Sequence, residues 1–387
     1  MISRIVIPLL LIIILPDAYI YMRYLRGKVA YWLRLMWWIP CLLLLAYTVF
    51  MALQRNFAPY DMDTLNIYLF LFGLIAVPKF LFALCSLAGL GVCRLLNCRR
   101  TYATASGLLF AAAAVYILLY GSTIGFRKIE VRHVDYYSED LPPEFDGYRI
   151  AQFSDAHVGT YGYDRTDQMR AAVDTINAQQ ADVIVFTGDL QNMRPREIYP
   201  YVDMLGSLKA ADGVFSVLGN HDYADYVDLP EEAKAANCRM TVFLQHRMGW
   251  RLLQNEHAVI RRGADSIVIA GMENDGNGKH FPQKGDVRKT MRGVGRGAFT
   301  VMLEHDPTAW RRKILPQTEA QLTLSGHTHG MQFELFGWSP VSFVYREWGG
   351  VYYEGSRAIN VSTGLGGFIP FRFGVPGEVV VITLHRK

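Results

Sequence analysis

Apolar residues are concentrated near the start of the chain in four long runs separated by short polar connections. The runs cover residues 5–22, 35–53, 65–87 and 102–120. Each has roughly the 17–25 residues that a helix needs to cross a bilayer. A buried core helix would explain one such run, but four in succession are typical of spanning helices, whose backbone hydrogen bonds are satisfied internally. We therefore predict a four-helix transmembrane anchor over residues 1–126.

Two of these runs carry features that could change this interpretation. Arg4 and the apolar residues after it resemble a signal peptide, but no small-x-small cleavage site follows, so we predict a retained helix. Pro78 and Lys79 interrupt the third run, and Pro78 is expected to kink the helix. Lys79 is expected to reach the interface or to face a neighbouring helix.

From about Ile129 the pattern changes to short β-rich runs that alternate with polar runs of helical period. Strands are predicted over residues 149–153, 182–186, 214–218, 266–270, 298–303, 321–324, 358–362 and 378–384. Helices are predicted over 167–179, 198–208 and 229–248, and a long surface loop over the glycine- and charge-rich segment 271–297. This alternation predicts a layered α/β domain with packed sheets over residues 127–387.

Charge and cysteine content divide the chain in the same place. The chain is 51% hydrophobic with a net charge of +4, but residues 1–126 hold ten basic and three acidic residues, whereas the remainder holds 29 basic and 32 acidic. No basic stripe indicates nucleic-acid binding, and none is expected. No CxxC pair occurs, which argues against a cysteine zinc site. Four of the five cysteines lie in the anchor, namely Cys41, Cys85, Cys93 and Cys98.

The charges of the connections predict an orientation in the inner membrane of the cell. The first and third connections are basic, and by the positive-inside rule they lie in the cytoplasm. Both termini, and with them the C-terminal domain, are then extracytoplasmic. Basic residues after the fourth run argue in the other direction. The residues concerned are Arg23, Arg26, Lys28 and Arg34, then Arg94, Arg99 and Arg100, against Arg55, Asp61 and Asp63 in the middle connection and Arg127, Lys128 and Arg132 after the fourth run.

Acids, histidines and one asparagine follow the ends of five predicted strands. Each alone has an ordinary explanation as a turn, a cap or a surface histidine, but five of the ten histidines fall in these motifs. The carboxyl ends of strands in α/β sheets converge on a common site. Mixed oxygen and imidazole donors suit Mn²⁺, Fe or Zn²⁺ better than Ca²⁺. The motifs are Asp155-Ala156-His157, Gly188-Asp189, Gly219-Asn220-His221-Asp222, Glu304-His305-Asp306 and Gly326-His327-Thr328-His329.

The order of these motifs resembles that of the calcineurin-like metallophosphoesterase superfamily, over roughly residues 147–387. The tail from Gly364 to Glu378 resembles a bacterial membrane-associated branch of it. The resemblance implies a four-layer αββα sandwich and two divalent ions, with Mn²⁺ favoured. It also implies that a metal-bound hydroxide attacks phosphorus in a phosphodiester or pyrophosphate, and a lipid-linked substrate is consistent with the anchor.

The resemblance also implies a role for each site residue. Asp155, His157 and His329 would hold one ion, Asn220, His305 and His327 would hold the other, and Asp189 would bridge them. His221 would donate to the phosphoryl group or protonate the leaving oxygen. Asp222 would orient His221, with a helix cap as the alternative. Two departures from the family pattern, Asn192 and Met331, are expected to affect substrate shape rather than metal binding.

Several alternatives remain open at this stage. A UDP-2,3-diacylglucosamine pyrophosphatase of lipid A synthesis would require a cytoplasmic domain, and a non-catalytic membrane scaffold would be expected to lack ligands. The aromatic segments 331–348 and 368–373 are expected to pack on the inner sheets, or otherwise to receive a lipid tail. The substrate and the oligomeric state stay open. Basic residues of the 271–297 segment are expected to be solvated, or otherwise to grip phosphate, namely Lys279, Lys284, Arg288, Lys289 and Arg292.

Overall fold

The computed structural model describes residues 2–54, 62–97, 99–162, 165–279 and 281–387. Three residues named above, Arg55, Asp61 and Cys98, lie outside the described residues, as does the side chain of Arg4. The chain divides into two compact units, Met1–Thr123 and Ile124–Lys387.

The first unit contains the four predicted helices. They are α1 (Val6–Ile20, extended by a π-helical turn over Tyr21–Leu25), α2 (Tyr31–Ala52), α3 (Met62–Leu95) and α4 (Thr101–Thr123). All four are long and apolar enough to cross a membrane, which confirms that prediction. The 34 residues of α3 rise about 51 Å, which exceeds the roughly 30 Å of a bilayer core, so this helix continues beyond its apolar run.

Polar side chains of this unit point between the helices. Lys79 Nζ lies 2.7 Å from Asp17 Oδ1, and Asp17 is only 1% exposed. The same ammonium group lies 4.5 Å from the centre of the Trp37 ring. Lys79 therefore faces neighbouring helices, which is one of the two arrangements that the sequence allows.

Two six-stranded sheets form the second unit within the described residues. Both sheets are mixed, with parallel and antiparallel pairs of neighbouring strands in each. The first sheet has the order β1 (Ile129–Ser138), β12 (Gly377–Arg386), β2 (Arg149–Phe153), β3 (Val183–Phe186), β4 (Val214–Ser216), β5 (Arg251–Leu252). The second has the order β10 (Gly350–Glu354), β11 (Arg357–Val361), β9 (Leu322–Ser325), β8 (Thr300–Leu303), β7 (Asp265–Gly271), β6 (Glu256–Arg262).

Helices cover the outer face of each sheet. The first is covered by α5 (Thr166–Ala178), α6 (Val202–Leu205) and α7 (Glu231–Arg247), whose apolar side chains pack on Ala151 and Phe153. Ile150 points to the other face and packs against the second sheet, as alternation along a strand requires. The second sheet is covered by α8 (Val287–Thr290), a π-helical turn over Trp310–Ile314, and α9 (Leu315–Gln317). The predicted αββα sandwich is therefore confirmed.

Some predicted elements are wrong in detail. The helix expected over 198–208 is reduced to a 3-10 turn, Tyr199–Tyr201, and the four residues of α6, since Pro200 cannot donate a helical hydrogen bond. The segment 271–297 is not a plain surface loop, because Asn274, Asp275 and Val287 are buried and α8 lies within it. The short or polar strands β1, β5, β6 and β10 were not predicted individually, because their burial is partial or their length small.

Candidate metal centre

The five motifs meet where the carboxyl ends of strands from both sheets come together. Asp155, Asp189 and Asn220 follow β2, β3 and β4, which are neighbouring parallel strands of the first sheet. His305 and His327 follow β8 and β9, which are parallel neighbours in the second. The sandwich thus aligns the ends of five strands and collects their side chains into one cluster.

The backbone turns sharply as it leaves these strands. Asp155, His157, Asp189, His327 and His329 all have positive φ, between 43° and 73°. Non-glycine residues rarely adopt this region, and strained positions of this kind cluster at functional sites. Each turn aims a ligand-type side chain into the cluster instead of along the strand.

Asp155, His157 and His329 form the first group of donor atoms. His329 Nε2 lies 3.2 Å from Asp155 Oδ1 and 3.2 Å from His157 Nε2. His157 Nε2 is also 3.6 Å from Asp189 Oδ2. These spacings leave a small polar space surrounded by two imidazole nitrogens and carboxylate oxygens.

Asn220, His305 and His327 form the second group. Asn220 Oδ1 lies 2.8 Å from His327 Nδ1 and 3.2 Å from His305 Nε2, and the two ring nitrogens are 3.3 Å apart. His305 Nε2 is 3.2 Å from Asp189 Oδ2. The single oxygen Oδ2 of Asp189 therefore borders both groups.

The chemistry of these donors fits divalent cations. Carboxylate, amide and imidazole donors that point at one another repel or compete unless protons or cations lie between them. Glycines allow the close approach: a Cβ on Gly219 would lie 2.2 Å from Asp189 Oδ1, and one on Gly326 would lie 2.3 Å from Asp155 Oδ2. Gly219 and Gly326 are thus both needed to leave room for the carboxylates.

Neighbouring groups orient three of these side chains. His305 Nδ1 lies 2.7 Å from the carbonyl oxygen of Thr187 and donates to it, which leaves Nε2 for the cluster. Asn220 Nδ2 donates to Tyr226 Oη at 2.7 Å, which turns Oδ1 inward. His327 Nε2 pairs with Tyr345 Oη at 2.8 Å and leaves Nδ1 free to point at Asn220.

Burial and charge shift the pKa values in the cluster in opposite directions. Burial raises the pKa of Asp155 to about 7 and lowers that of His157 to about 3. Burial would also raise the pKa of Asp189, but His305 and the other imidazoles hold it well below its usual value. The cluster thus keeps an anionic Asp189 at its centre, which is the state that a cation requires.

His221 borders the cluster without belonging to either group of three. Its Nδ1 lies 2.6 Å from the backbone carbonyl oxygen of Asn192, and its backbone N–H donates to Asp189 Oδ1 at 2.8 Å. A ring nitrogen lies within 4.8 Å of the donor atoms of His157 and Asp189. The ring is partly exposed, and Phe368 packs beside it at 5.3 Å between ring centres.

Asp222 does not orient the His221 ring, contrary to the expectation from sequence. Its buried carboxylate accepts hydrogen bonds from the backbone N–H groups of Gly219, Asp189 and Leu190, each at 2.9 Å. The 3-10 turn Asn220–Tyr223 directs Asp222 back under the loop after β3. The structure agrees better with the capping alternative, because Asp222 accepts from the N–H group of Gly219, the residue at which that turn begins. The carbonyl group of Asn192 holds the His221 ring instead.

Several contributors could not be found from sequence. The Asn192 side chain donates to Thr160 Oγ1 at 2.7 Å, but its contact with His221 is through the backbone, which leaves no residue signature. Arg372, noted above only within the tail, is fully buried, and its guanidinium donates to five carbonyl groups of the segments 363–366 and 375–376. This loop in turn bonds the strand end, with Gly366 N–H donating to the Asp155 carbonyl at 2.9 Å.

Of the two segments outside the motifs, the aromatic one differs from expectation and the basic one agrees with it. The middle of 331–348 does not pack on an inner sheet, because Phe336 is 98% exposed and Phe343 is 82% exposed. In the segment 271–297, Lys284 lies 4.1 Å from the Tyr223 ring centre and Lys289 bonds the Gln254 carbonyl. Both lysines and the other three basic residues named above for this segment are exposed, so they are solvated as expected.

Comparison with known proteins agrees with this geometry. Residues 148–331 match the family described as calcineurin-like phosphoesterase, and residues 3–126 match one described as probable calcineurin-like phosphoesterase, transmembrane domain. The uncharacterized metallophosphoesterase YkuE of Bacillus subtilis is 30% identical over 294 residues, which cover 71% of this chain and 94% of YkuE. The chain therefore belongs to the calcineurin-like metallophosphoesterase family and carries a transmembrane domain.

Two further relatives show how widely the arrangement extends. The uncharacterized metallophosphoesterase Cj0846 of Campylobacter jejuni is 25% identical over 390 residues, covering 98% of this chain and 97% of its own length. A transmembrane protein with metallophosphoesterase domain from Danio rerio is 28% identical over 279 residues, 70% of this chain and 60% of that protein. Similarity to the Campylobacter protein thus extends through the membrane helices.

Proposed function

We propose that this chain is a membrane-anchored phosphoesterase that uses two divalent metal ions to hydrolyse phosphodiester or pyrophosphate bonds. The observation that carries the proposal is Asp189 Oδ2, which lies 3.6 Å from His157 Nε2 and 3.2 Å from His305 Nε2. A carboxylate oxygen between two donor groups is what a two-ion centre requires.

The proposed holders of the ions follow from the two groups. Asp155, His157 and His329 would hold one ion, and Asn220, His305 and His327 would hold the other, with Asp189 shared. Mn²⁺ is favoured, and Fe or Zn²⁺ also suits these donors. When bound, the pair would activate water and neutralise charge on the phosphoryl oxygens.

His221 is proposed to supply the proton or hydrogen bond to the substrate. Asn192 accepts from Nδ1, so only Nε2 is left to face a phosphoryl or leaving oxygen, and it donates when the ring is an imidazolium. Burial lowers the pKa of His221, against the opposing effect of Asp189, which favours release of that proton to a leaving group.

Asp222 is proposed to act on the centre only through the backbone. Its carboxylate fixes the N–H groups of Asp189 and Leu190, and so fixes the loop that presents the shared oxygen. It is therefore a positioning residue rather than a catalytic one.

The domain is proposed to lie outside the cytoplasm, on the strength of the basic first and third connections. Fusions of alkaline phosphatase and of green fluorescent protein to the C-terminus test this. Active phosphatase with dark fluorescent protein supports the proposal, and the reverse pattern overturns it and favours a cytoplasmic substrate.

The enzymatic proposal is tested with the full chain in detergent or nanodiscs. The chain is stripped with chelator, reloaded with Mn²⁺, Fe²⁺ or Zn²⁺, and offered p-nitrophenyl esters and nucleoside pyrophosphates. Hydrolysis should vanish on chelation, return with metal, and be absent in Asp189→Asn. A metal-loaded chain that is inert on every compound would overturn the proposal and favour the scaffold alternative.

A further inference from the structure

The loop that follows the last histidine motif ends in an exposed aromatic tip. Leu335 and Trp338 exchange both backbone hydrogen bonds, at 2.9 and 3.1 Å, so that Phe336 and Gly337 form a two-residue hairpin turn. Both have positive φ, 53° and 78°. Turns of this type favour asparagine and glycine, whereas a bulky residue with positive φ is strained. Phe336 holds this conformation with 98% of its surface exposed.

Phe336 is part of a larger apolar surface, here called the apolar loop, residues 331–344. Water contact at so many large apolar side chains is unfavourable, and patches of this kind mark interaction sites. Glu334 is the only charged residue in the loop. The other exposed apolar residues are Met331 (46%), Leu335 (39%), Trp338 (48%), Phe343 (82%) and Val344 (64%).

The apolar loop is held firmly to the candidate metal centre. Ser339 Oγ is buried and donates to the Gly330 carbonyl at 2.7 Å. Just after the loop, Tyr345 Oη pairs with His327 Nε2 at 2.8 Å. The tip is therefore presented at a fixed place relative to His327 and is not a freely moving arm.

A half-buried aromatic strip, residues 368–373, connects the loop with His221. Phe333 stacks on Phe373 with ring centres 5.8 Å apart. Gln332 Nε2 bonds the carbonyls of Ile369 and Phe371, at 3.0 and 2.6 Å. At the other end of the strip, Phe368 packs beside the His221 ring. Direct contacts thus link the start of the loop, at Gln332 and Phe333, with the strip that packs beside the proposed proton donor.

A lipid bilayer is the apolar phase available to this surface. The chain carries four helices suited to a membrane, and α4 ends at Thr123 while β1 begins at Ile129. The five residues between them span at most about 18 Å when extended. The second unit therefore follows the last membrane-suited helix after only a short connection.

From these observations we propose that the apolar loop inserts into the lipid surface and that the substrate is a phosphoester or pyrophosphate of a membrane lipid. The acyl chains stay in the bilayer and against the strip, while the phosphate reaches His221 and the donor atoms. This inference rests on the function proposed above and specifies its substrate class.

Contact with lipid is tested independently of activity by a photocrosslinker. Phe336 of the full chain is replaced by p-benzoylphenylalanine, and the protein is placed in nanodiscs of phosphatidylethanolamine and phosphatidylglycerol. The matched control carries the same replacement at Phe243, a 56% exposed phenylalanine of α7. A lipid adduct at 336 but not at 243 supports insertion. No lipid adduct at 336, or adducts only with protein, overturns it.

Substrate class is tested by the ratio of two activities. The wild type, Phe336→Ser/Phe343→Ser and the control Phe243→Ser are compared on a diacyl phosphodiester in vesicles and on a water-soluble ester. The double variant should lower the ratio of lipid to soluble kcat/KM by about tenfold or more, because two aromatic side chains lose their burial in lipid. The control should leave the ratio unchanged.

The outcomes separate the two proposals. If the wild type hydrolyses neither compound, the proposed function fails. If it hydrolyses the soluble ester and the ratio is the same in the double variant and the control, the function stands and this inference alone is overturned.

Discussion

Lys79 Nζ and Asp17 Oδ1 are 2.7 Å apart within the four-helix unit, one on α3 and the other on α1. Asp17 is almost fully buried, so removal of the lysine leaves an unpaired charge inside the bundle. We expect Lys79→Met or Asp17→Asn alone to destabilise this unit by about 3–5 kcal/mol, and the double variant to lose less than the sum. Thermal unfolding of the full chain in detergent measures this.

The control for this prediction is Arg94→Ala, at an exposed position near the end of α3. It should leave the unfolding midpoint near that of the wild type. Additive losses in the double variant would show that the two charges do not stabilise each other.

His221 should matter for turnover and not for metal binding. His221→Ala removes the side chain that Asn192 orients toward the substrate, so turnover should fall by about 10²-fold or more, in the range of lost general acid–base catalysis. Metal content should stay the same, because neither group of three ligands includes this residue. His246→Ala, at an exposed histidine of α7, is the matched control. A loss of bound metal in His221→Ala would make this residue a ligand and refute its proposed role.

Asp222, unlike His221, should matter for stability and for metal binding. Asp222→Ala leaves the N–H groups of Gly219, Asp189 and Leu190 buried without their acceptor, at about 1–3 kcal/mol each. We expect a lower unfolding midpoint and weaker metal binding in calorimetric titration. Asp222→Asn keeps one acceptor oxygen, so its unfolding midpoint and its metal affinity should lie between those of Asp222→Ala and those of the wild type. Unchanged stability and metal affinity with slow turnover would instead favour a direct role in catalysis.

The two donor groups should be distinguishable by the number of metal ions that variants in each group retain per chain. Asn220→Ala weakens the second group only, so the chain should retain about one of two ions after equilibration and gel filtration. Asp189→Ala removes the oxygen common to both groups and should lose both. Mass spectrometry of bound metal per chain measures this, with Asn177→Ala, on α5, as the control. Equal losses in Asn220→Ala and Asp189→Ala would contradict a shared carboxylate.

The sequence predicts which side chains come together at the strand ends, because these candidate ligands lie in short motifs directly after strands. Asp155 and His157 sit two residues apart, and a strand end fixes where both point. The contacts of Asn192 with His221 and of Tyr226 with Asn220 are not predictable in this way, because they depend on the folded backbone. Asn192 acts through its carbonyl group. The same limit applies to Asp17, whose partner is 62 residues away on another helix.

The prediction that the aromatic segment 331–348 packs on an inner sheet is wrong for the middle of the segment, for a related reason. Phe and Trp are most often core residues, and a hairpin tip cannot be recognised from composition when phenylalanine occupies the place of asparagine. The four-layer fold, in contrast, follows from alternating strands and helices, which are local patterns. The prediction of a helix over 198–208 is wrong for a local reason, because Pro200 lacks the N–H group that a continuous helix needs.

The proposal that two ions share the Asp189 carboxylate is tested by electron paramagnetic resonance of the Mn²⁺-loaded full chain. Ions about 3.5–4 Å apart with a bridging ligand are magnetically coupled. If two ions share this carboxylate, we expect a broad exchange-coupled spectrum at two equivalents of Mn²⁺ per chain. An isolated six-line Mn²⁺ spectrum at every loading would contradict it.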